Sequence, residues 1–217
     1  MNQFDVKNPE APLTFLTTDI RSHPKHGGFT MSQEAYVRDV LKTWEMTDCR
    51  PGLVPGVPTK VELPGEEPEG EPDPEDIYRA QKLAGSLIWL STRTRPDITY
   101  AQSRISSMMT KAPKTALMEG VRVLRYLRGT KHAGLQFRPC NNHQDVVAYT
   151  DANFSTKRSQ TGFVVKLGRN VVAWRSMKQA EVCELSGEWS ASTCERRRIS
   201  GRCQNIERVI VSSDTDD

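Results

Sequence analysis

Between Lys60 and Arg79 the chain has nothing from which to build a core. Glu62, Glu66, Glu67, Glu69, Glu71, Asp73, Glu75 and Asp76 follow one another without an intervening lysine or arginine, and Pro64, Pro68, Pro72 and Pro74 are interspersed. Like charges repel, each proline removes a backbone donor, and too little apolar area is present to offset the entropy of ordering. With Pro51, Pro55 and Pro58 just ahead of it, the stretch reads as a linker over residues 51–76. A chain of 217 residues must therefore assemble its core from what lies on either side.

Ahead of the linker, Leu13 to Ile20 and Gly28 to Met31 are strand candidates around the turn-rich His23-Pro24-Lys25-His26-Gly27. Thr30-x-x-Gln33 has the spacing of a capping box, and a helix is expected from about Ser32 to Glu45, with Tyr36, Val37, Val40, Leu41 and Trp44 at helical spacing. That spacing makes Trp44 a core anchor. Beyond the linker three more helices are expected. The first, about Asp76 to Leu90, aligns Ile77, Leu83, Leu87 and Leu90. The second opens at Arg95-Pro96-Asp97 and carries Ala101, Ile105 and Met108. The third, about Thr115 to Leu127, aligns Leu117, Val121, Leu124 and Leu127 and stops at Gly129.

The net charge of +3 conceals a separation along the chain. From Arg79 to Arg138 the basic residues face only Asp97 and Glu119, a field that would draw a polyanion. Arg122, Arg125 and Arg128 recur at steps of three on the last helix. With Lys131 they are the candidate contacts to a nucleic-acid backbone, the alternative being a plain solvated helix face.

Val146 to Tyr149 has the β-branched and aromatic content of a buried strand, and Asp151 falls where it emerges. Thr161 to Leu167 and Asn170 to Trp174 then read as a hairpin turning at Gly168-Arg169-Asn170. A carboxylate so placed is a candidate metal ligand; Asp151-Ala152-Asn153 is equally readable as an ordinary polar turn. The 5 cysteines are scattered without a C-x-x-C, and the 4 histidines do not cluster with them, so neither a disulfide framework nor a zinc site is indicated. The longest apolar run, Leu87 to Leu90, is too short to span a bilayer, and Met1 to Glu10 has no signal-peptide core. The expectation is an intracellular protein, cytoplasmic or nuclear, with no membrane partner.

Several of these segments recur together, in order, in one known family. Asp151, Ser159-x-Thr161-Gly162-Phe163, Leu167-Gly168 and Trp174-Arg175-Ser176-x-Lys178-Gln179 resemble the ribonuclease H segment of copia-type LTR retrotransposon Pol polyproteins. Gly85 to Leu90, Thr94-Arg95-Pro96-Asp97-Ile98 and Leu124 to Thr130 resemble that family's GSLLYL, TRPDI and LRYLKGT elements. Phe29 to Val37 and Met46-x-Asp48-Cys49 resemble elements further upstream. The resemblance covers roughly residues 13 to 190.

It implies an α+β organisation: a β-hairpin and helix from the tail of a reverse transcriptase palm (1–50), the Pro/Glu-rich linker (51–76), a basic helical connection (77–139), a truncated ribonuclease H-like mixed sheet (140–190), and a divergent, loose tail (191–217). Ribonuclease H chemistry uses converging carboxylates that hold two Mg²⁺ ions. Asp151 matches the family's first, and Glu188 is the candidate for the second, with Glu181 and Glu184 as weaker matches. The D-N-x-S-A segment bearing the family's third acid has no counterpart after Ala191, which fits a frameshift, a splice artefact or a gene-model error near residues 180 to 195. No Tyr-x-Asp-Asp occurs, so polymerisation by this chain alone is not expected. The reading favoured is a non-catalytic remnant that at most binds nucleic acid, alongside other polyprotein chains. Its alternatives are a Mg²⁺-dependent ribonuclease H that cleaves the RNA of RNA-DNA hybrids, and an unrelated helical adaptor.

Overall fold

The computed structural model describes residues 13–23, 27–56, 71–139, 146–153, 160–178 and 207–211. Along the chain the elements are β1 (Leu13–Phe15), β2 (Thr18–Ser22), β3 (Phe29–Ser32), α1 (Glu34–Thr43), α2 (Pro74–Arg93), a 3-10 turn at Pro96–Ile98, α3 (Thr99–Met108), α4 (Pro113–Gly129), β4 (Gly134–Phe137), β5 (Val146–Asn153), β6 (Gln160–Leu167), β7 (Asn170–Lys178) and β8 (Glu207–Val211). The fold is α+β, with two four-stranded sheets ordered β1-β2-β3-β4 and β7-β6-β5-β8. Among the described residues every pairing is antiparallel, whereas the sequence suggested a mixed second sheet.

The linker interrupts the sequence and not the core. Val37, Val40 and Leu41 of α1 are buried in one cluster with Leu83, Leu87 and Leu90 of α2, Ile98, Ile105 of α3, and Val123, Leu124 and Leu127 of α4. Each fully buried side chain of this size contributes about 1.5–3 kcal/mol, far more than helix propensity supplies. Strands β1–β3 also share a sheet with the connection, because β3 pairs with β4, Phe29 opposite Phe137 and Ser32 opposite Gly134. A Cβ on Gly134 would lie 2.2 Å from the Met31 carbonyl oxygen, so this crossing admits only glycine.

Five further details depart from the sequence reading, each for a local reason. The strand expected over Leu13 to Ile20 is broken by a two-residue turn at Leu16 and Thr17, whose φ angles are 47° and 61°. A β-branched residue rarely adopts φ > 0. Thr17 is held there by its hydroxyl, which accepts hydrogen bonds from Trp89 Nε1 (2.9 Å) and Gln33 Nε2 (3.3 Å). The capping box does not form either. Gln33 is buried and its Oε1 accepts from Thr94 Oγ1 at 2.9 Å, while Thr30 lies in β3 opposite Arg21.

Helix α2 starts inside the supposed linker. Asp73 caps it by accepting from the Glu75 N–H at 3.0 Å, Pro74 takes the first position, and Glu75 and Asp76 suit the positive end of the helix dipole. On α4 the buried side runs through Ala116, Gly120, Val123, Leu124 and Leu127, whereas Val121 is exposed. Finally, part of the 191–217 stretch expected to be loose forms β8, pairing Glu207–Val211 with Thr150–Val146. The run Val209-Ile210-Val211 has the β-branched content that favours such a strand.

Candidate functional site

Two segments about thirty-five residues apart in the sequence meet in a polar lock at the end of α4. Arg95 is 1% exposed, and its Nε and Nη2 donate to the Asp97 carboxylate at 3.0 and 2.7 Å. The same guanidinium donates to the carbonyl (3.0 Å) and hydroxyl (2.7 Å) of Thr130, just past α4, and Tyr126 Oη donates to Asp97 Oδ2 at 2.8 Å. Burial pushes the Asp97 carboxyl up, but the hydrogen bonds and charge of Arg95, joined by Tyr126, outweigh it and hold the carboxyl below the usual carboxylate range. Tyr126 is pushed up by its own burial and by Asp97. The sequence counted Arg95 in the basic field; the structure withdraws it into this lock.

The predicted arginine stripe does not act as one face. Arg122 lies 3.7 Å from the buried Glu119 in an ion pair. Arg125 Nε donates to the Arg50 carbonyl at 3.0 Å, while its own carbonyl accepts from the Gly52 N–H at 2.9 Å. Arg128 Nε donates to the Thr47 carbonyl. Arg125 and Arg128 thus clamp the loop after α1 to α4.

Arg128 and Lys131 remain beside a groove of about 370 Å³, completed by Arg38, Asp39, Leu41, Lys42 and Thr47. Arg38 and Lys42 were missed in the sequence, although their i,i+4 spacing on α1 puts them on one helix face. Four cations against Asp39 give the groove a positive field. Glu34 moderates one side: it pairs with Arg38 and lies 2.5 Å from His132 Nδ1. Burial raises the Glu34 carboxyl, but hydrogen bonds from His132 and Arg38 and their charges outweigh it and hold it low.

Asp151 is exposed within β5, one residue past the end of β8, and pairs with Gly162 of β6. Opposed residues share a sheet face, so Tyr149, Asp151, Gln160, Gly162, Val164, Trp174 and Ser176 all belong to one side. That side faces the helices. Trp174 Nε1 donates to the Ser91 carbonyl of α2 at 2.6 Å, and Gln160 Nε2 donates to Ser103 Oγ of α3 at 3.1 Å. Between them lies a groove of about 550 Å³, walled on the helix side by Pro96, Thr99 and Tyr100 and on the sheet side by these residues with Thr150, Phe163 and Arg175.

Among the described residues, Asp151 supplies the one carboxylate that lines the groove. One carboxylate is not a donor set for two Mg²⁺ ions, which need several converging oxygens. Among the described residues no cluster of three or more histidine, cysteine, aspartate or glutamate side chains is able to hold a metal. Glu188, Glu181 and Glu184 lie outside the described residues. The described part of the chain therefore does not fit the metal pair. Among the described residues no helix is long and apolar enough to cross a membrane.

Comparison with known proteins bears on most of the chain. An uncharacterized mitochondrial protein of Arabidopsis thaliana, AtMg00810, is 34% identical over 189 residues, which is 85% of this chain and 75% of that protein. The retrovirus-related Pol polyproteins from transposons RE1 and RE2 of the same plant are each 33% identical over 86% of this chain, which spans 12% of either polyprotein. No family model and no solved structure matches.

Proposed function

Since the chain belongs to the retrovirus-related Pol polyproteins of copia-type retrotransposons, we propose that this retrotransposon-derived segment binds the backbone of nucleic acid and does not cleave it. The observation that carries the reading is the groove where Arg38 and Lys42 of α1 meet Arg128 and Lys131 of α4. Neither helix alone gathers these cations. Loop residues 47–52, clamped by Arg125 and Arg128, hold α1 against α4 and so preorganise the pair.

Phosphate neutralisation releases counterions, so each cation that engages a phosphate steepens the dependence of affinity on salt. Four contacts to a B-form duplex correspond to a slope of about −3.6 in log K against log salt. Titrating a labelled RNA-DNA hybrid between 50 and 300 mM KCl tests this. The Lys42→Ala/Lys131→Ala variant is expected to bind weaker and to lower the slope by about two. A slope near zero for the parent chain refutes the reading.

Asp151, exposed in an open groove, favours a second reading, a Mg²⁺-dependent ribonuclease H to which this chain contributes one carboxylate. Incubating the hybrid with Mg²⁺ and either the chain or Asp151→Asn separates the two. RNA cleavage by the parent that is lost in the variant overturns the non-catalytic reading.

A further inference from the structure

The groove at Asp151 is a poor metal site, yet its walls have a definite chemistry of their own. Tyr100 opens the first turn of α3, and Tyr149 and Trp174 stand on the facing sheet side; all three are half-buried, so each presents part of its ring. The indole is fixed by its 2.6 Å bond to the Ser91 carbonyl. Lys166 Nζ lies 5.4 Å from the centre of the Tyr149 ring. Opposite Asp151, Gly162 contributes no side chain, and a Cβ there would come no nearer than 3.7 Å to anything, the Arg175 carbonyl oxygen. The floor of the groove is open because of that glycine. Its volume of about 550 Å³ falls within the usual range of ~300–1,000 Å³ for small-ligand sites, which are mostly apolar with a few polar groups that set orientation.

From this arrangement we propose that the groove between α3 and the second sheet binds a nucleobase, presented as a nucleotide or as an unpaired residue of a single strand. A base is flat and stacks on aromatic rings whatever its identity. Its ring N–H or exocyclic amine is a donor that the Asp151 carboxylate accepts, and its phosphate is an anion for Lys166 beside Tyr149. A sugar without a base would leave the aromatic walls unmatched. The site stands apart from the α1–α4 groove and does not depend on the backbone-binding reading.

Isothermal titration of the full chain with AMP, GMP, CMP and UMP tests it, with ribose 5-phosphate as the baseless probe. Saturable binding is expected for at least one nucleotide, roughly tenfold or more tighter than for ribose 5-phosphate, because stacking is the main contribution. Gly162→Val fills the floor with a residue that strands favour, and is expected to abolish nucleotide binding without lowering thermal stability. Tyr100→Leu keeps an apolar wall but removes the aromatic ring, and is expected to weaken binding roughly tenfold. Lys42→Ala/Lys131→Ala is expected to keep nucleotide binding while weakening hybrid binding, so failure at one groove is not mistaken for failure at the other. The proposal is overturned if no nucleotide binds at several millimolar, if ribose 5-phosphate binds as well as the nucleotides, or if a folded Gly162→Val binds them unchanged.

Discussion

Asp97→Ala should destabilise the helical core far more than an ordinary surface substitution. The change removes the acceptor of three guanidinium contacts, at 2.7, 3.0 and 3.3 Å, and the partner of the Tyr126 hydroxyl. Arg95 keeps both bonds to Thr130, yet with 2% of its side chain exposed it has no route to solvent for its charge. Losing one partner of a buried ion pair costs about 3–5 kcal/mol. Asp97 is itself 34% exposed, which screens the pair and points to the lower end, about 3 kcal/mol. For a chain of this size that corresponds to roughly 6–12 °C in melting temperature. Urea unfolding followed by circular dichroism measures it. The paired replacement Arg95→Met/Asp97→Leu is expected to cost less than Asp97→Ala alone, because it leaves no buried charge behind. A cost below about 1 kcal/mol for Asp97→Ala, or a double variant worse than the single, would refute the argument that an orphaned charge is what matters.

Low pH, Gly120→Ala and Arg125→Ala should perturb the lock, the α2–α4 packing and the loop clamp in separable ways. Because the folded carboxyl of Asp97 lies below its unfolded value, its contribution is present above the unfolded pKa of about 4 and is lost as pH falls through the lower, folded value. Urea midpoints measured from pH 5 downward should therefore fall for the parent, with Asp97→Asn lacking that part of the decline. Gly120→Ala would place a Cβ 2.1 Å from Leu83 Cδ2, a fully buried neighbour, and should cost about 1–3 kcal/mol in the same urea assay. Arg125→Ala removes the bond to the Arg50 carbonyl but not a groove cation; it should cost about 1 kcal/mol and leave the salt slope of hybrid binding unchanged.

The arginines on α4 show how a correct periodicity yields an incomplete role. Steps of three told that Arg122, Arg125 and Arg128 lie near one another on a helix. They could not tell that Glu119, the Arg50 carbonyl and the Thr47 carbonyl would each engage one of them. Those acceptors belong to the buried side of the helix and to a loop 75 to 81 residues away in sequence, and no local pattern records where a loop returns.

What the sequence determined by itself is the family, the α+β class, the places of the four helices and the β6–β7 hairpin, since these follow from ordered motifs, apolar periodicity and turn chemistry, all local properties. Tertiary structure alone decided the rest. It closed one core across the linker, paired β3 with β4, drew Arg95 out of the basic field, and set Arg38 and Lys42 beside Arg128 and Lys131. It also turned Asp151 toward an aromatic groove rather than toward another described carboxylate. The physical reason is common to all of these. Burial and charge pairing depend on which distant segments share a volume, and that is settled by the summed packing of the whole chain rather than by any stretch of it.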